Sequence, residues 1–169
     1  MPKPATLVAY YSWSGSNRKV AQALAKELGA DMEEIREANP RRGFLGLIVL
    51  GLSDLIGRGA KILPPSKEPS RYGLVVIGTP VWAGKVSSPM RQYLRENKGN
   101  FKSIAAFSAC GDPPNAGKVF SQIESITGLK PIATMAVKGV SFNMSGKEME
   151  YSDSNFKQEL AGFIARLRK

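Results

Sequence analysis

The sequence predicts an α/β protein built on a three-layer, doubly wound sheet of five parallel strands. Apolar runs alternate with amphipathic helical segments along the chain. The apolar runs lack the regular polar and apolar alternation of a half-exposed strand, which is typical of parallel strands covered on both faces. Since parallel neighbours need right-handed crossovers, the helices would cover both faces of the sheet. With 169 residues and 43% hydrophobic content, we expect a single domain over 1–169 with an apolar insertion at about 39–70.

The first predicted unit is a strand, a polar loop and a helix between Thr6 and Leu28. The residues of 6–11 are β-branched, aromatic or small and apolar, whereas Val20 and Leu24 begin a four-residue apolar spacing that ends at Leu28. That spacing gives one apolar helix face. The remaining strands are predicted at 32–36, 72–79, 103–108 and 132–137, and the remaining helices from about Pro89, over 116–127 and over 154–167.

The insertion contains an apolar stretch over 44–57 that is flanked by arginine and lysine. Its length of about fourteen residues is short of the ~20 needed to span a membrane. Gly46, Gly51 and Gly57 within the stretch, Gly59 just after it, and Asp54 disfavour a free amphipathic helix. We expect a helix packed on the domain or on a second subunit, so a homodimer is one outcome; a helix lying on a membrane surface is the alternative.

Composition excludes several classes of site. The chain has no histidine and one cysteine, Cys110, which rules out histidine acid–base chemistry, histidine metal sites and thiolate clusters. Its net charge of +10 comes from dispersed lysines and arginines, and no nucleic-acid motif accompanies them. Solvated surface charge is therefore expected rather than a polyanion site. The sequence shows no signal-peptide pattern and no transmembrane segment, and the expected location is cytoplasmic.

Ligands of doubly wound sheets bind outside the carboxyl ends of the strands. Here the loops that follow the first, third and fourth predicted strands are 12–17, 80–88 and 109–115. The first loop supplies three serines, Gly15 and Asn17 where the first unpaired N–H groups of a helix must point. This pattern favours a phosphate cradle, with an ordinary helix cap as the alternative. Neither the dinucleotide fingerprint nor a Walker A loop matches.

The other two loops hold few groups for acid–base or nucleophilic work. Asp112 is their only acid, no carboxylate pair is present, and we predict no catalytic residue and no metal ligand. Trp82 could cover one face of a planar ring, or simply pack within the protein. Cys110 could act as a redox thiol or as a small residue in a tight loop, and without a partner thiol the second interpretation is favoured. The set suits a phosphate-bearing planar cofactor that does its own redox chemistry.

The two motifs together resemble the flavodoxin family. They are the hydroxyl loop 12–17 and the sequence Gly-Thr-Pro-Val-Trp-Ala-Gly-Lys at 78–85, and they are most similar to small single-domain flavodoxin-like proteins of prokaryotes. The resemblance covers almost the whole chain and implies a flavodoxin-like fold, non-covalent FMN and electron transfer of one or two electrons. By position, it implies a phosphate site at Ser12, Trp13, Ser14, Gly15, Ser16 and Asn17, a ring border at Thr79, Pro80, Val81, Trp82, Ala83 and Gly84, and a pyrimidine-side lining at Ser108, Ala109, Cys110, Gly111 and Asp112.

Two departures from the family bear on the role. Many flavodoxins place a tyrosine after the fourth strand, whereas this chain has no aromatic in 109–112. The outer face of the flavin would then be open, or covered by Phe44, Phe142 or a second subunit. Carrier flavodoxins are also usually acidic. The expected function is an FMN-binding redox protein; the alternatives are an NAD(P)H-dependent quinone or nitro reductase, and a non-catalytic protein that binds membrane or polyanion through 41–61.

Overall fold

The structure, a computed structural model, describes residues 5–39, 60–139 and 153–168, the last range with side chains from Asn155. The strands are β1 (Thr6–Tyr10), β2 (Asp31–Glu34), β3 (Leu74–Gly78), β4 (Val81–Trp82), β5 (Lys85–Val86), β6 (Ile104–Cys110) and β7 (Thr134–Lys138). The α-helices are α1 (Ser16–Leu28), α2 (Ser88–Glu96), α3 (Ala116–Thr127) and α4 (Asp153–Leu167). The predicted order of the five parallel strands and the helices is confirmed, with strand ends displaced by at most two residues.

Five strands form a parallel sheet in the order β2-β1-β3-β6-β7. Counted within this sheet, the order is 2-1-3-4-5, which is the flavodoxin-type order in the general rule for doubly wound sheets. The chain reverses its direction of winding between β1 and β3. Ligands of such sheets bind at the carboxyl ends of these two strands.

Helices cover both faces of the sheet, as predicted. On one face Val8, Val76 and Phe107 pack with Leu24 of α1 and Phe163 of α4. On the other face, the strand residues Leu7, Ile77 and Ile104 pack with Met90 and Leu94 of α2 and Ile123 of α3. Because successive strand residues point to opposite faces, a strand covered on both sides is apolar throughout.

The segment predicted as a loop at 80–88 contains a small hairpin, in which β4 pairs antiparallel with β5. Ala83 and Gly84 connect the two strands with φ values of 49° and 73°. Positive φ at both central residues is the geometry of the tight hairpin turn that follows strand twist. Alanine rarely adopts this conformation, so of the two turn residues only Gly84 indicated the turn in the sequence.

The described flanks of the insertion lie side by side. The Ala38 N–H donates to Lys61 O and the Leu63 N–H donates to Arg36 O, both at 2.8 Å. The predicted helix at 44–57, and the residues Phe44 and Phe142, lie outside the described residues. None of the helices that the structure describes is long and apolar enough to cross a bilayer.

Candidate functional site

The three predicted loops leave the sheet at the same edge. Tyr10 at the end of β1 pairs with Gly78 at the end of β3, and Gly78 pairs with Phe107 of β6. The Tyr11 N–H donates to Gly78 O at 3.0 Å, which continues the pairing one residue further. The loops 12–17 and 79–86 therefore start side by side, with the end of β6 next to them.

The hydroxyl loop wraps around the start of α1. Gly15 occupies the N-cap position with a φ of 90° and offers no side-chain cap. The Arg18 N–H instead donates to Ser12 Oγ at 3.1 Å, so Ser12 does part of the capping. Ser14 Oγ and Ser16 Oγ lie 3.1 Å apart. The hydroxyls thus gather at the end of a helix, where backbone N–H groups favour an anion.

Asn17 lies in the same loop but turns inward. It is 2% exposed, and its side-chain amide contacts the backbone of Ala109 at the end of β6. The Ala109 N–H donates to Asn17 Oδ1 at 2.9 Å. Asn17 Nδ2 donates to Ala109 O at 3.3 Å. The amide of Asn17, which was predicted to hold a phosphate, is therefore used in a contact with another loop.

Trp82 projects from the β4–β5 hairpin and joins two aromatic rings of the first loop region. Its ring lies edge-on to Tyr11 at 5.6 Å between centroids and edge-on to Trp13 at 6.1 Å. Trp13 is 39% exposed, whereas Tyr11 is buried. The Tyr11 hydroxyl donates to Glu37 Oε1 at 2.5 Å, and burial together with this carboxylate raises the pKa of Tyr11. The site thus has an aromatic wall formed by two loops.

Three polar side chains hold the hairpin in place, namely those of Thr79, Ser87 and Gln122. Thr79 is fully buried, and its Oγ1 lies 3.0 Å from Ser87 Oγ at the base of the hairpin. Gln122 of α3 was missed. The Val86 N–H donates to Gln122 Oε1 at 3.1 Å, and Gln122 Nε2 donates to Gly84 O at 2.9 Å. The only sequence signal was a glutamine next to the apolar residue Ile123 of the predicted helix.

The third loop is divided between a buried and an exposed part. Ser108, Ala109 and Cys110 belong to the buried end of β6, whereas Gly111 and Asp112 are exposed. Burial raises the pKa of the Cys110 thiol, which keeps it protonated at neutral pH. This environment fits the interpretation of Cys110 as a small packed residue. A reactive thiol needs the opposite shift.

The remaining predicted residues lie on the hairpin around Trp82. Pro80 and Val81 are half-buried beside it, and Ala83 and Gly84 form its tip. On the other side of the hydroxyl loop, Arg18 forms an ion pair with Glu34. Among the described residues no group of three or more acidic, cysteine or histidine side chains could hold a metal ion. The arrangement offers hydroxyls and a helix start for an anion, and an aromatic wall for a planar group.

Comparison with solved structures finds the same fold in several flavoproteins. A flavoprotein from Lactobacillus acidophilus NCFM, in complex with FMN, is similar at a TM-score of 0.70 and 23% identity over 79% of this chain and 93% of that chain. The oxidised flavodoxin 2 of Bacillus cereus is similar at 0.57 and 13% identity over 97% and 98%. An NADH:FMN oxidoreductase in its apo form is similar at 0.54 and 11% identity over 97% and 89%.

The fold class follows from these similarities and from the strand order: the chain has the flavodoxin-like fold. No family model matches the sequence. The search of curated proteins found no match either. The predicted fold is confirmed, and the function has to be argued from the residues of the site.

Proposed function

We propose that this chain binds FMN without a covalent bond and acts as a redox protein. The observation that carries the proposal is the convergence of the serine loop, which ends in the start of α1, with the Trp82 hairpin at one edge of the sheet. FMN combines a phosphate with a planar ring, so it matches both halves of this arrangement. The FMN complex of the L. acidophilus protein, which is similar in fold, supports the choice of cofactor.

The phosphate would lie against Ser14, Ser16 and the first turn of α1. Ser14 is exposed and Ser16 is buried, so the pair links the surface to the loop interior. The φ of 90° at Gly15 places the backbone in a conformation that favours glycine, and an added Cβ there would meet no atom within 4 Å. Gly15 therefore serves the turn of the backbone rather than close packing. Such a turn directs consecutive N–H groups to one side, as an anion requires.

The ring would lie beside Trp82, with the backbone of the hairpin at its edge. FMN supplies one- and two-electron redox chemistry when bound. The protein's part is to orient the ring and exclude water from one face. Tyr11 and Trp13 hold the Trp82 indole through edge contacts, which fixes the direction in which that indole can present its face.

Absorbance of the purified protein tests the cofactor. Bands near ~370 and ~450 nm, with FMN identified by mass after release, are the expected result. A colourless protein that takes up no added FMN would overturn the proposal.

Ser14→Ala tests the phosphate site. It should weaken FMN binding by about tenfold, since hydrogen bonds to charged groups are the stronger ones, and leave the affinity for riboflavin, which lacks the phosphate, nearly unchanged. Ser121→Ala is a matched control, because Ser121 is exposed on α3 and its hydroxyl donates to Gly117 O of its own helix.

A second candidate function is an NAD(P)H-dependent quinone or nitro reductase. The exposed residues Gly111 and Asp112 carry no aromatic ring, so this loop would leave the outer face of a bound flavin open to a substrate. The similarity in fold to an NADH:FMN oxidoreductase is consistent with it. Steady oxidation of NADH or NADPH by the FMN-loaded protein in the presence of a quinone would support the reductase; no oxidation above the rate with free FMN would favour the electron carrier.

A further inference from the structure

The amide of Asn17 joins the first loop to the third across 92 residues of sequence. Both partners are almost fully buried, with Asn17 at 2% and Ala109 at 5% exposure. The contact uses the oxygen and the nitrogen of the amide at once, toward the N–H and the C=O of a single residue. A side-chain amide paired in this way imitates a peptide group of a neighbouring strand.

The position of Ala109 in its strand explains why such an imitation is needed. The N–H of Thr79, just after β3, donates to Phe107 O at 3.2 Å, so Phe107 directs its backbone groups toward β3. On the other side of β6, Gly139 N–H donates to Cys110 O at 2.7 Å. Along a strand, the backbone N–H and C=O groups of successive residues point alternately to the two neighbouring strands. Those of Ala109 therefore point to the same side as those of Phe107.

None of the strands in the described part of the chain reaches Ala109 on that side. β3 ends at Gly78, and the chain leaves the sheet through Thr79 and Pro80 to form the hairpin of Trp82. Pro80 has no N–H to donate. The amide of Asn17 takes the position that the next peptide of β3 would have occupied. It thereby satisfies two buried backbone groups that would otherwise be left unpaired.

We propose that Asn17 is a positioning residue that holds the first and third loops in register for the flavin and does not itself bind the phosphate. It links the start of α1 to the end of β6 and fills the place that β3 vacates when its chain turns away to carry Trp82. This inference rests in part on the proposed FMN function. Only a primary amide supplies a donor and an acceptor side by side, so the pairing is specific to asparagine at this length.

Two flavins distinguish a positioning residue from a phosphate ligand. In Asn17→Ala, the dissociation constants of FMN and of riboflavin should both rise, by similar factors of about tenfold. In Ser14→Ala, only the FMN constant should rise. Loss of affinity for FMN alone in Asn17→Ala would make Asn17 a phosphate ligand and overturn the proposal, as would unchanged affinity for both flavins.

Asn97→Ala is the matched control. Asn97 Nδ2 donates to Tyr93 O at 2.9 Å at the C-terminal end of α2, remote from the three loops, so its loss should leave flavin binding unchanged. If Asn17→Ala does not fold, the uncharged Asn17→Ser, which retains at most part of the pairing, is measured instead. It should raise the dissociation constants of both flavins by similar factors, below about tenfold.

Amide hydrogen exchange in the flavin-free protein keeps this test separate from that of the cofactor. The Ala109 N–H should exchange at least tenfold faster in Asn17→Ala than in the wild type or in Asn97→Ala, since its acceptor is removed. If the wild type binds neither flavin, the FMN proposal fails, and faster Ala109 exchange still supports the bridge between the loops. An unchanged Ala109 rate refutes the bridge whether or not FMN binds.

Discussion

Gln122 offers the sharpest test of how the Trp82 hairpin is held. Its amide accepts from the Val86 N–H and donates to Gly84 O, so one side chain of α3 holds both the turn and the β5 strand that follows it. Each hydrogen bond of this kind contributes about 0.5–1.5 kcal/mol. Since Gln122 is only half-buried, water can replace part of what is lost. We expect Gln122→Ala to lower the free energy of unfolding by about 1–2 kcal/mol.

The measurements are chemical denaturation, thermal denaturation and hydrogen exchange. For a chain of this length, a loss of 1–2 kcal/mol corresponds to a decrease in Tm of about 2–8 °C. The Val86 N–H should lose protection in Gln122→Ala, because its acceptor is gone. Tryptophan fluorescence, which comes from Trp13 and Trp82, should also change, since the Trp82 indole would be less fixed against Tyr11 and Trp13.

Gln92→Ala is the matched control for this variant. Gln92 is also a helical glutamine, but its Nε2 donates to Glu96 Oε1 on the exposed surface of α2. Such surface changes stay within about 0.5 kcal/mol. If the two variants lost equal stability and Val86 kept its protection in Gln122→Ala, the assigned role of Gln122 would be refuted.

Two further predictions concern the sheet and the thiol. A Cβ at Gly78 would lie 2.2 Å from Phe107 Cζ. Gly78→Ala should therefore lower the free energy of unfolding, measured by denaturation, by about 1–3 kcal/mol. Gly117→Ala, where a Cβ meets no atom within 4 Å inside a helix, should instead stabilise by about 0.5–1 kcal/mol; a similar loss in both would contradict the packing argument. Burial raises the pKa of Cys110 above 9.0, so its rate with a thiol reagent should stay low at neutral pH and rise only in alkaline solution; fast labelling near pH 7 would contradict that shift.

Much of the fold could be predicted because its signals are local. The helix over 116–127 has the predicted bounds, and the chain turns at Gly128 with a φ of 78°, as expected for a glycine after a helix. Each of the five parallel strands shows a continuous or nearly continuous apolar run, except β2. There Glu33 is buried because its carboxylate accepts from the N–H and the hydroxyl of Ser66, a partner 33 residues away that the local pattern could not reveal.

The sequence predicted which loops lie together at the candidate site, but not which partner each side chain contacts. Serines near a helix start can cap the helix or hold an anion, and the structure does gather Ser14 and Ser16 at the start of α1. Asn17 carried the same local signal, yet its amide is used by Ala109. Asn17 differs from the serines because β3 ends at Gly78 and leaves the backbone groups of Ala109 for a side chain to pair with. The hairpin that follows β3 has a turn with an alanine at positive φ, which the sequence did not indicate. A side chain's partner is thus fixed by backbone groups left unpaired elsewhere, and these become visible only when the strands are placed side by side.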